Sequence, residues 1–203
     1  MRVHRLLEHT RAEGPGVRLC IWVQGCRRHC EGCFAADTWD PDGGCEMTVG
    51  EITQRIRKVR DSIDGITFLG GEPFEQAGEA AEVCAAARGY GLSVIVFTGG
   101  TYESLEQEYG SGARALLDNT DLLIDGQFAV EKRDLSRPLV GSLNQRFIFL
   151  TDRIGREKIE SYKNRFEVRI SPEGTVTVNG MGDLEELKRR LIAGGNDEND
   201  IRY

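Results

Sequence analysis

Long apolar runs are what this chain most lacks. No stretch of consecutive apolar residues exceeds about six, which leaves nothing able to span a bilayer as a helix. The opening stretch, MRVHRLLEHTRAEGPG, also lacks the roughly seven or more consecutive apolar residues of a signal peptide. A cytoplasmic address and no membrane partner are the expectation. Positive charge is short as well: 26 Lys and Arg face 33 Asp and Glu, a formal net charge of −7, which argues against nucleic acid as the main partner. Basic residues gather over 55–60, but acidic ones surround them. Repeats are absent, and only 194–200 reads as disordered. At 203 residues the chain fits one domain with a proper core.

Six cysteines in a chain without export features argue for metal or redox chemistry rather than a disulfide framework. Three of them, Cys26, Cys30 and Cys33, follow an apolar, strand-like run over 19–23 with the spacing C-x3-C-x2-C. Such a loop, rich in glycine and charge, suits a small bound metal. Structural zinc wants four ligands, whereas an iron–sulfur cluster on three thiolates keeps one iron open. No fourth cysteine is near: Cys45 lies twelve residues past Cys33, and Cys20 points along the strand. His29 would have to bind through the same tight turn as Cys30. A three-cysteine cluster is the better reading, with a non-catalytic zinc or cluster-binding module as the alternative. Cys84, among alanines, reads as a small core residue.

The rest of the chain alternates strand and helix signals. The turn Glu13-Gly14-Pro15-Gly16 separates the N-terminal segment from the first strand. Thr48 and Glu51 form a capping box for a helix whose inner face carries Ile52, Ile56, Val59 and Ile63. Parallel strands are expected over 66–69, 92–97, 121–124 and 146–150. Helices are expected over 75–88, stopped by Gly89, and after 100, with a break at 110–112; the passage 128–144 is irregular. This order implies right-handed β-α-β units and functional residues at the carboxyl ends of the strands. The tail reads as an amphipathic stretch over 153–163, a hairpin of 166–170 and 175–178, and a helix over 183–192.

Four segments carry a family resemblance. The cysteine motif resembles that of the radical S-adenosylmethionine (SAM) superfamily. Gly70-Gly71-Glu72-Pro73 is similar to its GGEP motif, and Phe97-Thr98-Gly99-Gly100 to a strand ending in Thr-Gly. LLIDGQF and GSLNQR, which contain Asp125 and Asn144-Gln145, resemble segments of the anaerobic ribonucleoside-triphosphate reductase activating proteins, a glycyl-radical enzyme activase branch. The likeness covers about residues 14–150. It implies an α/β fold, an incomplete (β/α)6-type radical SAM barrel with a parallel sheet, in a single domain over 1–203 with a core of about 14–150 and a C-terminal helix and hairpin extension of about 152–203.

It also implies chemistry. Cys26, Cys30 and Cys33 would hold a 4Fe-4S cluster whose open iron takes the amino and carboxylate groups of SAM. Glu72 would meet the SAM amino group and the glycine backbone of Gly70 and Gly71 would pair with it edge to edge, Pro73 completing the cofactor-binding motif. Thr98 and Asp125 fall where relatives contact the ribose or methionyl end, although a short polar residue ending a strand also caps helices. Phe34 would pack on adenine or in the core. Arg27 and Arg28 are either solvated or help dock an acidic flavodoxin-like electron donor.

The resemblance implies an activase that cleaves SAM to a 5′-deoxyadenosyl radical and takes a hydrogen atom from a backbone glycine of a partner such as anaerobic ribonucleotide reductase. Two positions depart from the branch: Gln127 stands in place of proline or lysine, and Val140 where an arginine is expected before Gly141-Ser142. A radical SAM enzyme acting on a small metabolite or a ribosomally made peptide is the alternative.

Overall fold

The computed structural model describes residues 1–183, 187, 189, 201 and 202. The expected helix over 183–192 and the tract 194–200 therefore lie, but for three residues, outside the described part. The chain opens with a strand, β1 (Arg2–Thr10), that runs antiparallel to β2 (Arg18–Val23). A two-residue strand, β3 (Cys45–Glu46), lines the far side of β1. Helix α1 (Val49–Val59) leads into β4 (Gly65–Gly70), α2 (Ala77–Gly89) into β5 (Ser93–Phe97), and the pair α3 (Leu105–Tyr109) and α4 (Ser111–Asp118) into β6 (Leu122–Asp125). Strands β2, β4, β5 and β6 are parallel neighbours. A last strand, β7 (Arg146–Phe149), closes the order β3-β1-β2-β4-β5-β6-β7.

Two features differ from the sequence expectation. First, β1 extends the sheet ahead of the Gly-Pro-Gly turn; RVHRLLEHT alternates poorly, and its polar members are partly covered, with the Arg5 guanidinium 4.2 Å above the Trp22 ring. Second, β7 is antiparallel to β6, not parallel. A parallel return needs a crossover of a dozen or more residues, usually helical, and 126–145 holds only one short 3-10 turn, Val130–Lys132.

Helix boundaries follow local chemistry. The Thr48 hydroxyl accepts the Glu51 N–H at 3.1 Å while the Glu51 carboxylate accepts the Thr48 N–H at 2.7 Å, the expected capping box. Helix α2 starts later than expected, after a 3-10 turn over Pro73–Gln76, and runs through Gly89. The left-handed residue that ends it is Gly91, at φ 81°. The break at Gly110, φ 68°, separates α3 from α4 as expected.

Strand alternation divides the core. Leu19, Ile21, Ile66, Phe68, Val94, Val96 and Leu123 face the helices and pack with Ile52, Ile56, Val83 and Leu116. Ile95, Leu122 and Ile124 face the other way, onto Leu139, Val140, Ile154 and Ile159. Val140 is fully buried there, so an arginine at this position would need a buried partner for its charge. Cys84 is a buried core residue, as read from the sequence.

The tail adds α5 (Arg156–Glu160), then the expected hairpin, β8 (Phe166–Ile170) and β9 (Val176–Gly180), with β10 (Ile201–Arg202) parallel to β9. The hairpin docks on β1: Arg5 Nη1 donates to the Val178 carbonyl at 3.2 Å, and Asn179 Nδ2 to the Thr10 hydroxyl at 3.0 Å. No helix among the described residues is long and apolar enough to cross a membrane. Removing the α1 cap with Thr48→Ala is expected to lower the thermal midpoint by about 2–4 °C, read by circular dichroism; an unchanged midpoint would mean that α1 is held by packing alone.

Candidate metal and cofactor site

The parallel strands deliver their carboxyl ends to one place. β2 runs into the cysteine loop, β4 into Gly70-Gly71-Glu72, β5 into Thr98-Gly99 and β6 into Asp125-Gly126. Around these ends lies a cavity of about 230 Å³. Cys26, Cys30, Cys33, Phe34 and Trp39 form one wall, and Gly70, Gly71, Glu72, Thr98 and Gly99 another. The wall opposite comes from the N-terminal segment and the hairpin: His4, Arg5, Glu13, Phe166, Asn179 and Met181.

Glu72 is the polar centre of this arrangement and is 1% exposed. It accepts hydrogen bonds from Phe74 N–H at 3.1 Å, the Thr98 hydroxyl at 2.9 Å, Gly99 N–H at 2.9 Å and Arg28 Nε at 3.3 Å. Burial still pushes its carboxyl above the ordinary value against those donors. Thr98 in turn accepts Gly100 N–H at 3.0 Å. Arg28 is turned inward rather than solvated, reaching Glu72, Glu108 at 2.7 Å and the Tyr109 hydroxyl at 3.3 Å, whereas the Arg27 side chain is 89% exposed.

The paired glycines have a local reason. Gly71 N–H donates to the Val23 carbonyl at 2.9 Å and Glu72 N–H to the Gly25 carbonyl at 2.8 Å, so β4 keeps pairing with the start of the cysteine loop. A Cβ on Gly71 would fall 2.1 Å from the Gly25 oxygen, and one on Gly70 2.8 Å from Trp22 Cα. These glycines permit the close approach of the cysteine loop, and both also line the cavity.

The remaining sequence candidates lie in different settings. Pro73 is buried at the first position of the 3-10 turn, where its missing N–H is not needed, and does not line the cavity. Asp125 is buried behind the cavity wall: the β6–β7 register sets it opposite Arg146, whose Nε donates to it at 2.9 Å, and Tyr102 N–H donates at 2.7 Å. The next residue, Gly126, does line the cavity. Gln145 braces that wall, accepting Gly141 N–H at 2.8 Å and donating to the Gly126 carbonyl at 3.3 Å. Phe34 meets Phe128 edge-on, with centroids 6.3 Å apart, at the cavity margin.

Among the described residues no three His, Cys, Asp or Glu side chains stand close enough to share one metal ion. Three soft thiols opening on one cavity, beside a buried carboxylate able to accept from an ammonium, fit an iron–sulfur cluster and an amino-bearing cofactor. Burial pushes the Cys26 and Cys33 thiols up, so binding of metal there releases protons.

Sequence reasoning missed Trp39, Arg5 and Asn179, and placed Glu13 in the turn ahead of the first strand. Trp39 follows the cysteine loop closely and was open to notice; Asn179 reaches the cavity only through the docking of the hairpin.

Comparison with known proteins fits this geometry. Residues 12–148 match the family model of a 4Fe-4S single cluster domain. The pyruvate formate-lyase-activating enzyme of Clostridium pasteurianum is 29% identical over 128 residues, 61% of this chain and 50% of that protein. The anaerobic ribonucleoside-triphosphate reductase-activating protein of Vibrio cholerae is 28% identical over 152 residues, 71% of this chain and 96% of that protein. The pyruvate formate-lyase 1-activating enzyme of Escherichia coli K12 is 30% identical over 127 residues, 61% and 50%. The chain thus spans about half the length of the pyruvate formate-lyase activases it matches and nearly all of the shorter Vibrio protein.

Glu13 gives the cavity a pH signature. Burial pushes its carboxyl up to about 7, although Asn179 Nδ2 donates to it at 3.2 Å. Below about pH 4.5 both folded and unfolded states carry the proton and stability is full. Between 4.5 and 7 the unfolded chain releases it first, so stability falls as pH rises, and above 7 the loss levels off. Glu13→Gln is expected to flatten this slope and to be more stable than the native protein at pH 8 by on the order of 3 kcal/mol. Denaturant titrations at pH 5 and 8 check it; parallel profiles for both proteins would refute the assignment.

Proposed function

The chain belongs to the 4Fe-4S single cluster domain family and, with the activating enzymes it resembles, to the radical SAM superfamily, and on that premise we propose that it is a glycyl-radical enzyme activase. Cys26, Cys30 and Cys33 would hold the 4Fe-4S cluster and the Glu72 side of the cavity the SAM. When bound, this pair supplies one-electron reductive cleavage of the sulfonium C–S bond, giving methionine and a 5′-deoxyadenosyl radical that abstracts a hydrogen atom. The observation that carries the reading is that the three cysteines and Glu72 line a single cavity at the carboxyl ends of parallel strands.

In this reading the residues divide the work. Glu72, fixed by Thr98 and Gly99, accepts from the cofactor's ammonium, and Arg28, now on that carboxylate, gives way toward Glu108. Gly70, Gly71 and Pro73 hold Glu72 against the cysteine loop, and Asp125, locked by Arg146, fixes Gly126 on the cofactor side. Phe34 and Phe128 offer an apolar face for adenine. The incomplete (β/α)6-type barrel belongs to the same reading: β1, β2, β4 and β5 all contribute to one cavity, as a curved sheet would. So does a single domain over 1–203, whose sheet takes in β1 ahead of the 14–150 core and whose 152–203 extension supplies a cavity wall. A cytoplasmic, reducing compartment suits its thiols, and an acidic flavodoxin-like donor would approach near the exposed Arg27.

For the substrate, we infer a glycine of anaerobic ribonucleotide reductase. Supporting this is the Vibrio relative, which matches over 96% of its own length. Anaerobically reconstituted protein is expected to form 5′-deoxyadenosine from SAM and to yield a glycyl-radical electron paramagnetic resonance (EPR) doublet when mixed with the reductase. SAM cleavage without that doublet would point instead to a small metabolite or a ribosomally made peptide. Cys30→Ala is expected to lose iron, sulfide and cleavage together; persistent cleavage would sink the scheme. Glu72→Gln should keep the iron and weaken SAM binding by about 10- to 100-fold, the loss of one charge-assisted hydrogen bond.

A further inference from the structure

Trp39 is held with unusual definition for a residue in a loop. Two backbone hydrogen bonds tie its segment to the cysteine loop: Gly25 N–H donates to the Thr38 carbonyl at 2.7 Å, and Cys26 N–H to the Trp39 carbonyl at 3.2 Å. The imidazole of His29, between Cys26 and Cys30, stacks on the indole with centroids 4.7 Å apart and planes 20° apart. His29 reaches that position through a left-handed backbone, φ 43°, which non-glycine residues rarely adopt. Backbone on one side and a stacked ring on the other therefore fix where the indole points.

Fixed in this way, its Nε1–H is buried with no hydrogen-bond partner. A buried indole N–H normally finds an acceptor. Trp39 lines the cavity with all three cysteines, and its backbone carbonyl is held by Cys26 N–H. A soft, anionic acceptor placed there completes the indole's bonding.

We propose that the Trp39 indole N–H donates a hydrogen bond to a sulfur of the cluster when the cysteines carry it, and thereby raises the cluster's reduction potential. The inference rests on the cluster assignment above. A donor aimed at sulfur draws off negative charge and so stabilises the reduced, more negative state over the oxidised one. Trp39 is a positioning and tuning residue in this scheme, acting on the cluster's readiness to accept an electron rather than touching the substrate.

Trp39→Phe keeps a ring over His29 and removes only the donor. In reconstituted full-length protein, redox titration followed by EPR is expected to show the reduced-to-oxidised ratio at a fixed potential falling about tenfold, a midpoint lower by about 59 mV for one electron, at unchanged iron and sulfide content. An unchanged midpoint in fully loaded variant overturns the proposal. If the variant fails to load iron, the native sequence decides the matter. The chain has two tryptophans, so protein labelled with 15N-indole tryptophan should show a 15N coupling to the reduced cluster that survives Trp22→Phe. Absence of that coupling overturns the proposal. Native protein that takes up no iron would instead bring down the cluster assignment, and this inference with it.

Discussion

A carboxylate sealed from water beneath the strand ends is the constraint from which the rest of the site follows. Glu72 cannot stay charged at 1% exposure without several donors, and those donors come from separate parts of the chain: its own 3-10 turn, the end of β5, and the cysteine loop through Arg28. Satisfying one side chain thus sets the relative positions of three segments. The parallel order of β2, β4 and β5 makes this possible, because neighbouring parallel strands bring their carboxyl ends to a common edge.

The two faces of the sheet serve different ends. Helices cover one face with a conventional apolar layer. The other is covered by irregular chain around Leu139 and Val140, by α5 and by the hairpin, and the cavity lies among them. Polar residues on that side are used against one another: Asn179 joins Thr10 to Glu13, and Arg169 donates to Asn179 at 2.6 Å. The hairpin is therefore part of the cavity's construction, and its polar contacts with β1 and the 11–13 segment set one of its walls.

Where a signal was local, the sequence revealed it. The Thr48–Glu51 box, the Ile52 and Ile56 face, the break at Gly110 and the alternation of the hairpin are each decided by neighbours a few residues apart. The motif residues at the strand ends were legible for the same reason, since each sits at the end of a short apolar run. What escaped was decided at long range. β1 is a strand because β2 needed a partner, not because RVHRLLEHT prefers one. The antiparallel course of β7 depends on a loop without helical pattern, and the inward turn of Arg28 depends on Glu108, eighty residues away. Asp125 shows the limit of motif reasoning: its position at a strand end was readable, but its engagement by Arg146 depends on the β6–β7 register.

The 2.1 Å approach at Gly71 carries a lesson for genetics. Any side chain there must push the thiol-bearing loop away from the acidic strand end, so both halves of the pocket would be disturbed by one codon change. Loss of function at this codon would thus look identical whether the metal or the nucleotide half matters more. On the proposed assignment, alleles at Cys30 and Glu72 alter one half each and are the ones from which separate contributions can be read.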